Sequence, residues 1–187
     1  MAYDNDNKVM MGNTLCKIDI YRSKAIMTME SSVAVDYNVA SPMLQFKFAS
    51  RTDAKSPGQW NNNQNTMWFP SFSGVVDVVT QFVALLSSAP GTDAAMAKFT
   101  NPKKQKYLQV RKNLGDNQEL WYVFSYMSGS QDSGNQIKIN CSCTAAEFTG
   151  ILGYLKNLLT QWPTVAQMAL TRYDAWYQTV GKHKQAG

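Results

Sequence analysis

The chain reads as an α+β protein of two similar halves, in each of which a run of short strands leads into an apolar helix. Three observations predict this. Residues 43–50 alternate, with Leu44, Phe46 and Phe48 toward one side and Gln45 and Lys47 toward the other, which is the period of a half-buried strand. Residues 72–86 place apolar side chains at 72, 75, 76, 79, 82, 83 and 86, the stripe of a helix. After the Ser87-Ser88-Ala89-Pro90-Gly91 breaker, strands followed by helix begin again.

In the first half, residues 15–21 and 24–29 read as strands around an Arg22-Ser23 turn. Residues 43–50 form a third strand and 66–69 a short fourth, stopped by Pro70. The polar stretch 52–65, with Pro57-Gly58 and three consecutive asparagines, is a loop. The helix 72–86 closes the half. In the second half, residues 106–113 alternate Leu108 and Val110 against Tyr107, Gln109 and Arg111. Gly115-Asp116-Asn117 turns the chain, and residues 119–127 return as a strand. Residues 128–135 form a loop, and 136–143 a strand with Lys138, Asn140 and Ser142 outward and Ile139, Cys141 and Cys143 inward. Thr144 and Glu147 make a capping box for a helix whose stripe runs from Phe148 to Trp162. Pro163 is expected to break that helix, and 165–180 to form a second, giving a C-terminal helix-loop-helix.

At 187 residues, with 44% hydrophobic and 17% charged side chains, one globular domain is expected over 1–187, with 1–13 and 181–187 as flexible ends. No apolar run is long enough to span a membrane, and the first residues have neither signal nor transit character, so a cytoplasmic protein is expected. Three cysteines give no disulfide framework and fit a reducing compartment. Cys141 and Cys143 lack a second cysteine pair, and the only histidine is His183, so they read as core residues and not as metal ligands.

The same lone histidine excludes a Ser-His-Asp or Cys-His arrangement, and no glycine-rich phosphate loop occurs. The thirteen carboxylates are scattered, so a metal-dependent nuclease stays only as a rival reading. Neither an enzyme nor a cofactor is expected. Charge is more informative. Residues 94–115 hold six basic side chains (Lys98, Lys103, Lys104, Lys106, Arg111 and Lys112) and no acidic one, while the whole chain is only +5. A local basic stripe leading into Trp121 and Tyr122 suits a single-stranded nucleic acid, whose phosphates take lysines and whose unpaired bases take aromatic faces. A solvated strand edge guarded by lysines is the alternative.

Several short elements together resemble the Whirly family of single-stranded-DNA-binding proteins. Tyr21-Arg22-Ser23-Lys24-Ala25-Ile26-Met27 resembles the family's KGKAAL element, with Arg-Ser-Lys where the family has Lys-Gly-Lys. Met43-Leu44-Gln45-Phe46 resembles its second-strand region. Trp60, followed by Trp68-Phe69-Pro70-Ser71, resembles its tryptophan and FALS strand end. Lys98-Phe99-Thr100-Asn101-Pro102 and Val110-Arg111-Lys112-Asn113-Leu114 resemble its EFFHDP and VRKxL elements, and Thr144-Ala145-Ala146-Glu147-Phe148 its TKAEF helix start. The pieces occur in order over residues 16–163. The longer Trp60 loop, a first segment unlike a plant transit peptide and a basic tail instead of an acidic one point to a phage or bacterial relative more than to a plant transcription factor. The resemblance implies two antiparallel four-stranded sheets packed with helices, in protomers joined as a tetramer through the C-terminal helices, here residues 145–180. It leaves DNA and RNA both open, since the wider superfamily includes RNA binders.

The expected contacts lie on outward strand positions and hairpin edges. Lys24, Lys47, Arg51, Lys106, Arg111 and Lys138 are the candidates for phosphates, and Trp60, Trp68, Tyr107, Trp121 and Tyr122 for base stacking. Trp121 and Tyr122 are adjacent and must face opposite ways, so at most one stacks. Trp60, in a polar loop without a core pattern, is the strongest of the five. Trp162 and Trp176 are assigned to helix packing. The functions expected are protection or organisation of single strands in replication, recombination or transcription, with a structural or assembly protein as the rival from another class.

Overall fold

The fold was obtained as a computed structural model, which describes residues 2–3, 9–36, 39–50, 65–129 and 136–178. Arg51, Trp60, the body of the 52–65 loop, most of the 128–135 loop and the expected flexible tail 181–187 lie outside the described residues.

Strands β1 (Ala2–Tyr3), β2 (Val9–Tyr21), β3 (Ala25–Asp36), β4 (Val39–Ser50) and β5 (Asn65–Phe69) form one antiparallel sheet in sequential order. Helix α1 (Phe72–Ser87) follows. Strands β6 (Met96–Asn101), β7 (Lys106–Leu114), β8 (Leu120–Ser128) and β9 (Ile137–Thr144) form the second antiparallel sheet, again in order, and α2 (Ala145–Trp176) ends the fold. The expected α+β architecture of two meandering sheets with helices is what forms. The two-residue β1 is an addition at the edge of the first sheet, and β2 starts at Val9, inside the stretch expected as a flexible end.

Alternation decides which side chains meet. Met27, Met29, Leu44, Phe46 and Phe48 of the first sheet and Leu108, Val110, Phe124 and Tyr126 of the second are all buried. Their rings pair across the interior: Phe46 lies 5.8 Å from Phe124, and Phe48 stacks on Tyr126 at 5.5 Å. Phe82 of α1 touches the rings of Phe46, Phe99, Phe124 and Phe148, so one side chain ties both sheets to both helices. Truncating such a residue to alanine costs about 3–5 kcal/mol, because the cavity it leaves cannot collapse from several sides at once. Cys141 and Cys143 are buried in this core, and burial pushes the Cys141 thiol up to about 11.

Helix α1 starts where Ser71 accepts the amide of Gly74, and α2 where the Thr144–Glu147 capping box forms as expected. One expectation fails here. Pro163 lies inside a continuous 32-residue α2 and does not divide it into helix-loop-helix. Proline deprives the Leu159 carbonyl of its partner. The residues beyond it, Val165, Ala169, Leu170 and Tyr173, nevertheless pack with Trp162 on Val33, Val35 and Ala40, and that burial outweighs the loss. The support exists because β3 and β4 run on to Asp36 and from Val39, well past the ends read from the sequence. Ser31 in this extension is buried and shares a 2.5 Å hydrogen bond with the Tyr154 hydroxyl of α2.

Candidate nucleic-acid interface

Strand register places the outward residues of the second sheet in four rows: Asn113–Trp121–Thr144, Met96–Arg111–Val123–Ser142, Lys98–Gln109–Ser125–Asn140 and Thr100–Tyr107–Met127–Lys138. No position in these rows is acidic. Lys98, Arg111 and Lys138 are exposed there, as is Tyr107, and Trp121 is half-buried at one end. Tyr107 and Lys138 share a row two strands apart, about 10 Å, and Arg111 lies two rows from Tyr107, about 13 Å. Exposed Lys103 and Lys104, in the short helical turn Pro102–Lys104, extend the positive charge past the Tyr107 row. The edge strand β6 is protected from pairing with other chains at Lys98, whose amide donates to Gln81 Oε1 at 3.0 Å.

The outward face of the first sheet has different electrostatics. Its rows include Lys17–Glu30–Gln45–Trp68 and Asp19–Thr28–Lys47–Thr66. Lys47 pairs with Glu30 at 2.5 Å and Lys17 with Asp19 at 3.1 Å, so that surface neutralises itself. Burial pushes the Glu30 carboxyl up, but the bond and charge of Lys47, with the Thr14 bond and the Lys17 charge, outweigh it and hold it below its ordinary value. A phosphate at Lys47 would have to displace that carboxylate.

The eleven residues expected at the interface therefore separate. Tyr107, Arg111, Trp121 and Lys138 come together on the outward face of the second sheet. Lys24 is exposed in the β2–β3 turn, and Trp68 is 37% exposed on the first sheet. Arg51 and Trp60 lie outside the described residues. Two assignments are corrected by geometry. Tyr122 is 2% exposed, with its ring stacked on Phe148 at 3.8 Å and 1°, because alternation sends it inward with Phe124 and Tyr126. Lys106 shares the inward parity of Leu108 and Val110, and its ammonium donates to the Thr66 carbonyl at 3.1 Å, bridging the sheets. Burial, with a contribution from the Lys104 charge, lowers its pKa. Lys112 leaves the basic stripe for the same reason: it is buried and caps the end of α1 through the carbonyls of Leu86 and Ser88.

Two residues outside the expected set lie at this face. Lys98 is outward because Ala97 and Phe99 are inward, a signal legible in the alternation. Arg22 joins Trp121 only in three dimensions, with its guanidinium 5.9 Å over the indole. Among the described residues no group of three or more His, Cys, Asp or Glu could hold a metal ion.

No family model and no curated protein matches the sequence. Solved structures do match. The plant transcriptional regulator PBF-2 superposes with a TM-score of 0.55 at 16% identity, over 83% of this chain and 96% of that one. WHY1 from Arabidopsis thaliana gives 0.52 at 18%, over 86% and 92%. WHY3 from the same plant gives 0.51 at 14%, over 90% and 98%. The fold is Whirly-like. The Whirly-like frame accounts for the two meandering sheets and the C-terminal helix. At these identities it says nothing about individual side chains, and the charge on the second sheet is a property of this sequence.

Proposed function

We propose that the chain is a non-catalytic protein that binds single-stranded nucleic acid, DNA first and RNA as the alternative, on the outward face of β6–β9. The observation that carries this is the contrast between the sheets. The first pairs Lys17 and Lys47 with carboxylates of its own, whereas the second presents Lys98, Arg111 and Lys138 with no acid among them and with Tyr107 and Trp121 alongside. Phosphates replace small counterions at the cations, and bases stack on the rings without regard to sequence. Lys24 and Trp68 are peripheral contacts in this reading. The role is to protect or organise exposed strands during replication, recombination or transcription in the cytoplasm. The free thiols Cys16, Cys141 and Cys143 agree with a reducing compartment. Among the described residues no helix is long and apolar enough to cross a membrane.

The same reading includes a homo-oligomer, a tetramer, formed through the helices. The solvent side of α1 carries Phe72, Val76, Val83 and Leu86, all exposed. On α2, Gly150 and Gly153 are exposed in mid-helix, and a Cβ at either would meet nothing within 4 Å. A helix-interior glycine costs about 1 kcal/mol against alanine. Two of them with no neighbour inside the protomer suit the close approach of another helix.

The test of binding is a titration of labelled single-stranded DNA, single-stranded RNA and duplex at two salt concentrations, with and without Mg²⁺. Single strands should bind more tightly than duplex, with strong salt dependence and no loss of substrate. K98A, R111A and K138A should each reduce the slope of log affinity against log salt by about 0.7. Equal duplex affinity, or degradation that needs Mg²⁺, would overturn the proposal.

A further inference from the structure

Arg22, in the turn between β2 and β3, makes side-chain contacts to its neighbour Tyr21 and to two distant parts of the chain. Its Nη1 donates to the Tyr21 carbonyl at 2.8 Å, and its Nη2 donates to Glu147 Oε2 in an ion pair. Its guanidinium lies over the Trp121 ring, 5.9 Å from the centroid. Glu147 Oε2 also accepts the Thr144 amide at 2.7 Å, and Thr144 is the register partner of Trp121. The contacts close a circuit: Trp121 to Thr144 through the sheet, Thr144 to Glu147 through the helix cap, Glu147 to Arg22, and Arg22 back onto the indole. On another flank the indole meets the β7–β8 turn so closely that a Cβ on Gly115 would stand 3.2 Å from both Trp121 Cδ1 and Nε1. Arg22 Nε is buried and has no acceptor among the described residues, so hydrogen bonding alone does not account for where the guanidinium sits. Neutralised by Glu147, it adds no net charge to the interface.

We infer that Arg22 is a positioning residue for single-strand binding: it fixes the Trp121 indole at the end of the cationic face and does not itself hold a phosphate. The inference rests on the proposed function above. A planar guanidinium fits an aromatic face and a carboxylate at once, which an ammonium does not, so lysine cannot replace it. Held at its edge by the Gly115 turn and over its ring by Arg22, the indole loses little freedom when a base arrives, and the stack forms at lower entropic cost.

The experiment measures binding of a labelled deoxythymidine oligonucleotide to the full chain across a salt series, for R22Q, R22K, E147Q, W121A and the double variants R22Q/W121A and E147Q/W121A. R22Q and R22K should each weaken binding about 2- to 30-fold, the span of a guanidinium–indole contact from exposed to desolvated. The salt slope should stay at the wild-type value, whereas K98A lowers it by about 0.7. In the W121A background R22Q should have no further effect. A slope lowered by about 0.7 in R22Q would make Arg22 a phosphate ligand and overturn the inference. So would undiminished weakening in the W121A background, which marks a general structural role, or wild-type affinity in R22Q. If R22Q does not fold, E147Q decides. It keeps an acceptor for Thr144 and removes the charge that pairs with Arg22, and it should weaken binding in the wild-type background but not in W121A. Wild-type affinity in both K98A and W121A would instead remove the proposed function itself.

Discussion

The ammonium of Lys112 lies 2.8 Å from the carbonyl of Ser88 and 2.7 Å from that of Leu86, so the second basic residue of the Val110-Arg111-Lys112 run closes the C-terminal end of α1. A cation there also meets the negative end of the helix dipole. Arg111 and Lys112 are neighbours in sequence with unrelated tasks, and the variants of each should separate cleanly.

K112M should lower stability by about 1.5–3 kcal/mol, the worth of hydrogen bonds from a charged donor, read as a shifted midpoint in urea. Its folded fraction should bind single strands with the wild-type salt slope. A slope reduced like that of R111A would show that Lys112 reaches phosphates after all.

The aromatic residues offer a parallel contrast. Y107A and W121A should each cost about 1–3 kcal/mol in single-strand affinity with the salt slope nearly unchanged, since stacking releases few ions. Y122L should leave affinity intact and instead reduce thermal stability, because that ring packs on Phe148. Fluorescence anisotropy and melting curves on the same preparations would assign all three.

Glu147 gives a pH dependence. Burial pushes its carboxyl up, but the Thr144 amide and the Arg22 guanidinium outweigh that and leave it below its ordinary value of 4.5. A depressed carboxylate stabilises the fold fully above the ordinary value and loses that contribution as pH falls through the lower, folded one. The stability gap between wild type and E147Q should therefore be level above pH 4.5 and narrow below it. A gap independent of pH would show that the charge at this cap is immaterial.

For assembly, G150A and G153A meet no clash within the protomer and should leave the fold intact. The bulkier G150L and G153L should lower the mass measured by light scattering if helices meet there. A wild-type mass for both leucine variants would move the interface elsewhere, and a monomeric wild type would remove it.

Legibility in the sequence followed the strength of the periodic signal. Residues 43–50, 106–113 and 136–143 alternate cleanly and became strands, and the capping box at Thr144 marked the start of α2 to the residue. The extension of β3 and β4 was not legible, because Glu30-Ser31-Ser32 and Pro42 are weak strand formers and the reward for pairing them is the distant packing of Val33 and Val35 on α2. That contact also explains why Pro163 was misleading: local chemistry argued for a break, and non-local burial overrode it. At the interface, parity alone would have turned Lys106, Lys112 and Tyr122 inward and Lys98 outward. The partnership of Arg22 with Trp121 could not be read at all, since nothing along the chain links a turn in one sheet to a strand end in the other.

The apolar contacts under the last turns of α2 form a small cluster of their own around Val33, Val35 and Ala169, apart from the main core of rings between the sheets. Opening it exposes far less apolar surface than opening the main core, so the two do not share one threshold. Amide hydrogens in residues 165–176 and 33–36 should exchange by a local, low-energy event, while those of β7 and β8 wait for global unfolding. The chain would then survive the transient loss of its end with the cationic face of the second sheet intact, and a ligand there would slow exchange in β7 and β8 while leaving the far end of α2 as it was.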